Sequence, residues 1–273
     1  MTASTGHAES SRVIRVVQIT DTHLYADASG CLLGLNTEQS LQAVVADVRK
    51  NRLPANLILA TGDLTHDSSQ AAYERVFSHL GSFGLPVYCL PGNHDETLAL
   101  QKSIGAGLHI SAASVCHGNW QFILLDSTVA GSEGGHLSPQ TLQDLDARLA
   151  ANPELHTLVC LHHQPVPMGS RWIDTMAVDN PDEFFDIIDR HPQVRGILWG
   201  HVHQELDRMR NTVRLMSTPS TCIQFSPGST DFALDTTAPG YRWLNLHADG
   251  KIETGVNRLA KIPGKIDMTA GGY

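Results

Sequence analysis

The chain has 273 residues, of which 41% are apolar, and this is enough to bury one substantial core. Its 19 basic and 28 acidic residues give a formal charge of −9, which argues against a nucleic-acid polymer as partner because binding to a phosphate backbone depends on Lys and Arg. The five widely spaced cysteines, the lack of a secretory signal and the lack of a long apolar segment predict a cytoplasmic protein without membrane contact.

Buried strands alternate with amphipathic helices along the first two thirds of the chain. Runs of β-branched and apolar residues predict strands at 13–19, 57–60, 87–90, 122–125, 156–161 and 194–199. Helix starts are predicted from Asn36 with Gln39, from Ser138 with Pro139 and from Asn180 with Pro181. Between residues 212 and 256 the chain has short strand-like runs separated by Pro and Gly, and no helix is predicted there.

This alternation predicts an α/β protein, a layered β-sandwich of two mixed sheets flanked by helices, with the strand-rich C-terminal third supplying the second sheet. We expect residues 1–12 to be a disordered N-terminus, residues 13–260 to form a single domain and residues 261–273 to be a loose tail. The loop 105–119 and the segment 165–179 are long enough to form the rims of an active site.

Five of the predicted strands end in clusters of Asp, Asn and His. The clusters are Asp21-x-His23, Gly62-Asp63, Gly92-Asn93-His94-Asp95, His162-His163 and Gly200-His201-Val202-His203. Because strand ends in an α/β sheet meet at one rim, we expect the clusters to converge. An extended backbone in the two x-spaced pairs would point both side chains of each pair the same way. We expect the glycines to give the backbone the freedom that sharp turns require.

The side chains of these clusters are of the types that bind transition metals. Seven ligands exceed what one first-row ion takes, but they suit two ions that share a bridging carboxylate, for which Asp63 is the best candidate. The predicted ligands are Asp21, His23, Asp63, Asn93, His162, His201 and His203. Imidazole and carboxylate together favour iron or manganese, with cobalt or zinc as alternatives, over magnesium or calcium.

In this order and spacing, the clusters resemble the signature of the calcineurin-like metallophosphoesterases over roughly residues 14 to 220. The resemblance implies the layered sandwich of that family. It also implies that Asp21, His23, Asp63 and His203 hold the first metal, and that Asp63, Asn93, His162 and His201 hold the second. His94 would contact the phosphate and protonate the leaving oxygen, and substrate would be bound by His23, Asp63, Asn93, His94 and His203.

Within this family the chain is similar to the bacterial class III 3′,5′-cyclic AMP phosphodiesterases. The similarity lies in the segments 18–24, 134–143 and 161–165, followed by Trp172-Ile173-Asp174. It implies that a hydroxide bridging two divalent or mixed-valence ions attacks phosphorus and that 5′-AMP is released. The residues that recognise the base are not specified. Tyr25, His163, Trp172 and Met176 are near enough to metal ligands to line a pocket, or they pack at its rim.

Other functions are compatible with the same residues. A phosphodiesterase of this type could act on 2′,3′-cyclic nucleotides or glycerophosphodiesters, and a phosphomonoesterase is a further alternative. From another class, a non-catalytic metal-site scaffold would bind a protein partner, although such a protein should have lost ligands or the histidine after Asn93. The sequence is compatible with either a monomer or a homodimer.

Overall fold

The computed structural model describes residues 13–103, 108–110 and 114–272. The predicted N-terminal segment 1–12 and part of the predicted rim 105–119 lie outside these residues. The strands are β1 (Ile14–Ile19), β2 (Cys31–Leu32), β3 (Leu35–Asn36), β4 (Leu57–Thr61), β5 (Val87–Leu90), β6 (Leu108–Ile110), β7 (Ser114–His117), β8 (Trp120–Leu124), β9 (His156–Cys160), β10 (Val194–Trp199), β11 (Leu206–Arg210), β12 (Val213–Ser217), β13 (Gln224–Phe225), β14 (Leu234–Asp235), β15 (Gly240–Leu246) and β16 (Ile252–Arg258). The helices are α1 (Thr37–Asn51), α2 (Gln70–Gly81), α3 (Thr97–Lys102), α4 (Pro139–Ala151), α5 (Arg171–Asp174) and α6 (Pro181–Arg190).

Two six-stranded sheets dominate the described residues. The first has the order β16-β15-β1-β4-β5-β6 and the second the order β11-β12-β10-β9-β8-β7. Each has four parallel strands, β1, β4, β5 and β6 in the first and β12, β10, β9 and β8 in the second, and its remaining strands are antiparallel. Both sheets are therefore mixed, as predicted.

The first sheet divides its side chains between two cores by the period of two of a strand. Val16 and Leu57 join the cluster between the two sheets, where they meet Phe122 and Leu198. Ile19 and its neighbours on the other face join the cluster under α1 and α2. A third cluster packs α4 and α6 on the outer face of the second sheet. The layers thus run helix, sheet, sheet, helix, and the predicted fold class is confirmed.

The predicted elements agree closely with the observed ones. Strands β5 and β10 have the predicted bounds, and the other four predicted strands differ by one or two residues at their ends. Asn36 caps α1 by accepting a hydrogen bond from the Gln39 N–H at 2.7 Å, and Ser138 caps α4 in the same way. Asn180 precedes α6, but its side-chain oxygen accepts from the Leu137 N–H at 3.0 Å instead of capping the helix.

The C-terminal third differs from the prediction. It does not form the second sheet by itself, because β11 and β12 extend that sheet whereas β15 and β16 complete the first sheet beside β1. The segment expected to be a loose tail also contacts the rest of the protein. Ile262 and Ile266 pack on the outer core of the second sheet, and the Asp267 N–H donates to the Leu33 carbonyl at 2.8 Å. No helix among the described residues is long and apolar enough to cross a membrane.

One fully buried charge joins the two sheets at their antiparallel edges. Arg242 of β15 donates to the carbonyl oxygens of Ser217 at 2.7 Å and Leu206 at 3.0 Å, both in the second sheet. Burial lowers the pKa of Arg242 to about 10, although Asp207 opposes this shift. The side chain therefore stays charged near neutral pH, and its hydrogen bonds offset the cost of burying that charge.

We expect Arg242→Met to lower the free energy of unfolding by about 3 kcal/mol, because it leaves buried carbonyl oxygens without their donor. Urea denaturation followed by circular dichroism measures this change. Arg208→Met is the matched control, since Arg208 is exposed and makes only a 3.5 Å contact to the Pro167 carbonyl. The control should change stability by less than about 0.5 kcal/mol. Equal effects of the two substitutions would contradict a bridging role for Arg242.

Candidate metal centre

The five polar clusters lie together at the carboxyl ends of β1, β4, β5, β9 and β10. Main-chain hydrogen bonds hold the first two loops side by side, from the Asp21 N–H to the Gly62 carbonyl at 3.0 Å and from the His23 N–H to the Asp63 carbonyl at 2.9 Å. The His201 N–H, which belongs to the second sheet, donates to the Asp21 carboxylate at 3.0 Å. The predicted convergence therefore includes both sheets.

Five of the predicted ligands, including both x-spaced pairs, have a left-handed and not an extended backbone, which corrects the expectation from sequence. Asp21, His23, Asp63, His201 and His203 all have positive φ, between 46° and 63°. Non-glycine residues rarely adopt this left-handed conformation, and its appearance at several neighbouring positions is characteristic of functional sites. Each x-spaced pair still directs both side chains inward, but it does so through two left-handed residues instead of through the alternation of a strand.

The glycines that precede these ligands also act differently from the prediction. Only Gly62 is left-handed, with φ of 90°. A Cβ on Gly92 would lie 2.2 Å from Asp63 Oδ1, and a Cβ on Gly200 would lie 2.2 Å from Thr20 Oγ1. At these two positions glycine is required by close packing against the ligand loops and not by the turn itself.

One half of the site surrounds His162. Its Nδ1 lies 2.8 Å from the Thr61 carbonyl oxygen, which only accepts, so Nδ1 carries a proton and, in the neutral ring, Nε2 presents a lone pair. That lone pair lies 3.3 Å from Asp63 Oδ2 and 3.2 Å from Asn93 Oδ1. Three atoms that present lone pairs thus face one another in a buried site. A cation between them satisfies all three, so this donor set fits a metal ion.

The other half of the site repeats this arrangement around His203. Its Nδ1 lies 2.9 Å from the Ile223 carbonyl oxygen, which again leaves Nε2 as the free lone pair. This atom lies 3.5 Å from Asp21 Oδ1 and 3.3 Å from His23 Nε2. His23 Nε2 is in turn 3.7 Å from Asp63 Oδ2. The same carboxylate oxygen of Asp63 therefore faces both halves, as expected of a bridging ligand.

The remaining predicted ligand, His201, belongs to the half around His162. Its Nε2 is buried and has no hydrogen-bond partner among the described residues. Its ring centroid lies 5.1 Å from that of His162, and the ligand atoms of His162, His163 and His201 lie within 4.8 Å of one another. An orphaned nitrogen is costly in the protein interior, and a bound cation removes that cost. All seven predicted ligands are thus brought together.

The protonation states of these groups suit cation binding. Burial holds the pKa of His23 and of His201 well below the usual range, so both imidazoles are neutral at physiological pH. Burial alone would raise the pKa of Asp63, but its neighbours His162 and His94 outweigh this and hold the pKa well below its usual range. Burial similarly opposes protonation of His162, yet the Asp63 charge raises its pKa to about 9. A proton or a cation must therefore sit between Asp63 and His162.

Comparison with known proteins decides the family. The sequence model of the calcineurin-like phosphoesterase family matches residues 14–205 of this chain. The chain belongs to that family. It is 44% identical to the 3′,5′-cyclic adenosine monophosphate phosphodiesterase CpdA of Escherichia coli (strain K12), with 95% of each chain covered. The CpdA protein of Pseudomonas aeruginosa is 42% identical, again over 95% of each chain.

Solved structures support the fold. A dimetal phosphatase from Danio rerio superposes with a TM-score of 0.61 at 19% identity, covering 90% of this chain and 99% of the other. The protein TT1561 of Thermus thermophilus gives a TM-score of 0.58 at 13% identity, with 89% and 99% coverage. Because the sequence identity is so low, these likenesses establish the fold alone.

His94 lies at the open side of this phosphoesterase site. It is half-buried, and its main-chain N–H donates to Asp63 Oδ1 at 2.9 Å. Its ring packs edge-on against His23, with centroids 5.0 Å apart, and stacks on His66 at 4.8 Å. The position of His94 relative to the shared carboxylate is thus fixed through its own backbone, while its imidazole stays partly accessible.

Two further residues support the site and were missed by the sequence analysis. His66 Nδ1 lies 3.4 Å from His23 Nδ1, so a side chain fixes the orientation of this ligand where His162 and His203 use main-chain carbonyls. Nothing in the local sequence distinguishes His66 from an ordinary loop residue. Asp95 is part of the Gly-Asn-His-Asp cluster, but its residue type is also typical of a turn.

Asp95 is half-buried and lies between the loops that carry Asp63 and Asn93. Its carboxylate accepts from the N–H groups of Gly92 at 2.9 Å and Leu64 at 3.0 Å, and from the Tyr73 hydroxyl at 3.0 Å. Burial and the negative charge of Asp63 raise the pKa of Asp95 to about 6, although the main-chain donors oppose the shift. Asp95 therefore holds the two ligand loops together through their main-chain N–H groups.

We expect Asp95→Asn to weaken metal retention by about 10- to 100-fold, because the new amide nitrogen faces N–H donors and pushes the two loops apart. Elemental analysis after dialysis against graded chelator concentrations measures this effect. Asp174→Asn is the matched control, since Asp174 also accepts two main-chain hydrogen bonds, from Met168 and Gly169, but lies in α5, outside both loops. If both variants retain metal like the unmodified protein, the positioning role of Asp95 is wrong.

Proposed function

We propose that the protein hydrolyses 3′,5′-cyclic AMP to 5′-AMP at a centre of two metal cations. The observation that carries this proposal is the convergence of seven lone-pair donors, six of them buried, with Asp63 facing both halves. Relatives named as 3′,5′-cyclic AMP phosphodiesterases match 95% of this chain at 42% and 44% identity, which supports the choice of substrate.

The proposed metal ligands follow the two halves of the site. Asp21, His23, Asp63 and His203 would hold the first cation, and Asp63, Asn93, His162 and His201 the second. The mixture of carboxylate, amide and imidazole suits iron, manganese or both, with cobalt or zinc as alternatives. When bound, such a pair supplies positive charge to the phosphate oxygens and activates a water molecule for attack at phosphorus.

The side chains around this pair have separate tasks. His94 faces the accessible side of the centre and, as general acid, would give its proton to the leaving 3′ oxygen. Asn93 presents Oδ1 towards His162 at 3.2 Å, which leaves its amide N–H groups for the phosphate. His23, Asp63 and His203 complete the set that we propose to surround the substrate. Because Asp63 belongs to both halves, its loss would affect both cations.

The cellular compartment and the oligomeric state stay predictions. All five cysteines are free thiols, which agrees with a reducing compartment such as the cytoplasm. A monomer and a homodimer are both compatible with the described surface.

We expect His94→Gln to lower kcat by about 10²–10⁴-fold with metal content unchanged, because it removes the proton donor but no metal ligand. Steady-state kinetics together with elemental analysis of the same preparation test this. His79→Gln is the control, since His79 pairs with Glu38 on α1, away from the clusters. Loss of metal from the His94 variant, or an unchanged rate, would refute its role as acid.

Metal removal tests the activity itself. Chelation should abolish turnover, and adding Mn²⁺ or Fe²⁺ back should restore it, because the ligand set has no nucleophile of its own. The assay compares 3′,5′-cyclic AMP with its 2′,3′ isomer and with a glycerophosphodiester, and chromatography identifies the product. Formation of 5′-AMP from the 3′,5′ isomer at the highest rate is expected. Preferential turnover of another ester, or release of inorganic phosphate, would contradict the proposed substrate and show that the protein acts on a different phosphate ester.

A further inference from the structure

A cleft opens directly from the metal centre. One end is lined by three polar residues of the centre, Asn93, His94 and His201. The other end is lined mainly by apolar side chains, among them Trp172 and Phe232. The cleft therefore has one end suited to a phosphate and another suited to a flat apolar group.

The apolar end is held by packing and hydrogen bonding. The Trp172 indole N–H donates to Ser229 Oγ at 3.1 Å, and its ring packs edge-on against Phe225 and Phe232, with centroids 4.9 Å and 5.1 Å apart. Phe225 is buried and stacks on the ring of His203 at 4.2 Å, with an interplanar angle of 6°. One aromatic cluster thus connects the wall of the cleft with the first half of the metal centre.

We infer that this apolar end binds the nucleobase of a cyclic nucleotide and that Trp172, as its principal aromatic contact, selects phosphodiesters that carry a base over those that do not. The inference rests on the proposed function, since it assumes that the phosphodiester lies at the metal end. A base stacked on an aromatic side chain gains an affinity that depends little on base identity. Among the described residues that line the cleft there is no Lys or Arg, and Glu133 is the one carboxylate. The apolar end therefore suits an uncharged ring better than a second phosphate.

The location of Trp172 in the chain agrees with this role. It belongs to α5, a four-residue helix within the segment 165–179 that the sequence predicted as a rim. Met176 follows on the same segment and lines the same cleft. Phe225 and Phe232 lie in or between the short strands β13 and β14. These residues are outside the metal-ligand clusters, so they can determine the choice of substrate without changing the chemistry.

The experiment compares 3′,5′-cyclic AMP with ribose 3′,5′-cyclic phosphate that carries no base. For Trp172→Leu we expect kcat/KM to fall by about 10- to 100-fold with cyclic AMP, mainly through KM, and to change less than about 2-fold with the base-free ester. Trp172→Phe keeps an aromatic face and loses only the bond to Ser229, so it should recover most of the activity towards cyclic AMP. Met176→Ala tests the same wall through a smaller side chain, should Trp172→Leu fold poorly.

Phe83→Leu is the matched control, because Phe83 is a half-buried aromatic residue that packs under the first sheet and does not line the cleft. This substitution should leave kcat/KM unchanged with both substrates. Equal losses with both substrates in the Trp172 and Met176 variants, or no loss with either, would overturn the inference while the unmodified enzyme still hydrolyses cyclic AMP. If the unmodified metal-loaded enzyme hydrolyses neither ester, the proposed function fails and the base site fails with it.

Discussion

The metal site depends on a buried hydrogen bond that joins the two sheets where their strands end. The carboxylate of Asp21 follows a strand of the first sheet and accepts the main-chain N–H of His201, which follows a strand of the second. Asp21 thereby fixes the loop that carries two imidazoles, and its own oxygen lies 3.5 Å from His203. Because a metal centre tolerates displacements of only a fraction of an ångström, the two halves of the fold must be joined at this point and not only through their apolar core.

The layer between the sheets changes character along its length to allow this. Deep in the sandwich it is apolar, but towards the metal end Gln18 donates to Thr61 Oγ1 at 2.7 Å and to the Trp199 carbonyl at 3.2 Å. Its carbonyl oxygen accepts from the Thr218 hydroxyl. This buried amide connects strands of both sheets directly below the ligand loops. Hydrogen bonds between buried polar groups thus replace apolar packing in the layer where the relative position of the sheets matters most.

The sequence was sufficient for the strands, the helix starts and the identity of the seven converging side chains, because each is marked by a local pattern of residues. The backbone of the clusters was predicted wrongly, since the spacing of Asp21 and His23 suits an extended strand as well as a left-handed turn. Asp95 and the pairing of β15 with β1 were beyond reach for a different reason. Both depend on which distant segments meet, and a carboxylate that accepts from remote main-chain groups has no signature of its own in the sequence. The closest sequence signal for the cleft was the length of the segment that carries Trp172.

The left-handed ligand positions have an energetic consequence for the cations themselves. A non-glycine residue in this conformation costs on the order of 1–3 kcal/mol unless its surroundings hold it there, and five such residues encircle the site. If these loops relax in the cation-free protein, restoring the left-handed conformation costs free energy when the ions bind. The measured free energy of cation binding would then equal the attraction of the ligands minus the cost of restoring the left-handed loops. A protein with the same ligands on an unstrained backbone would bind the same ions more tightly.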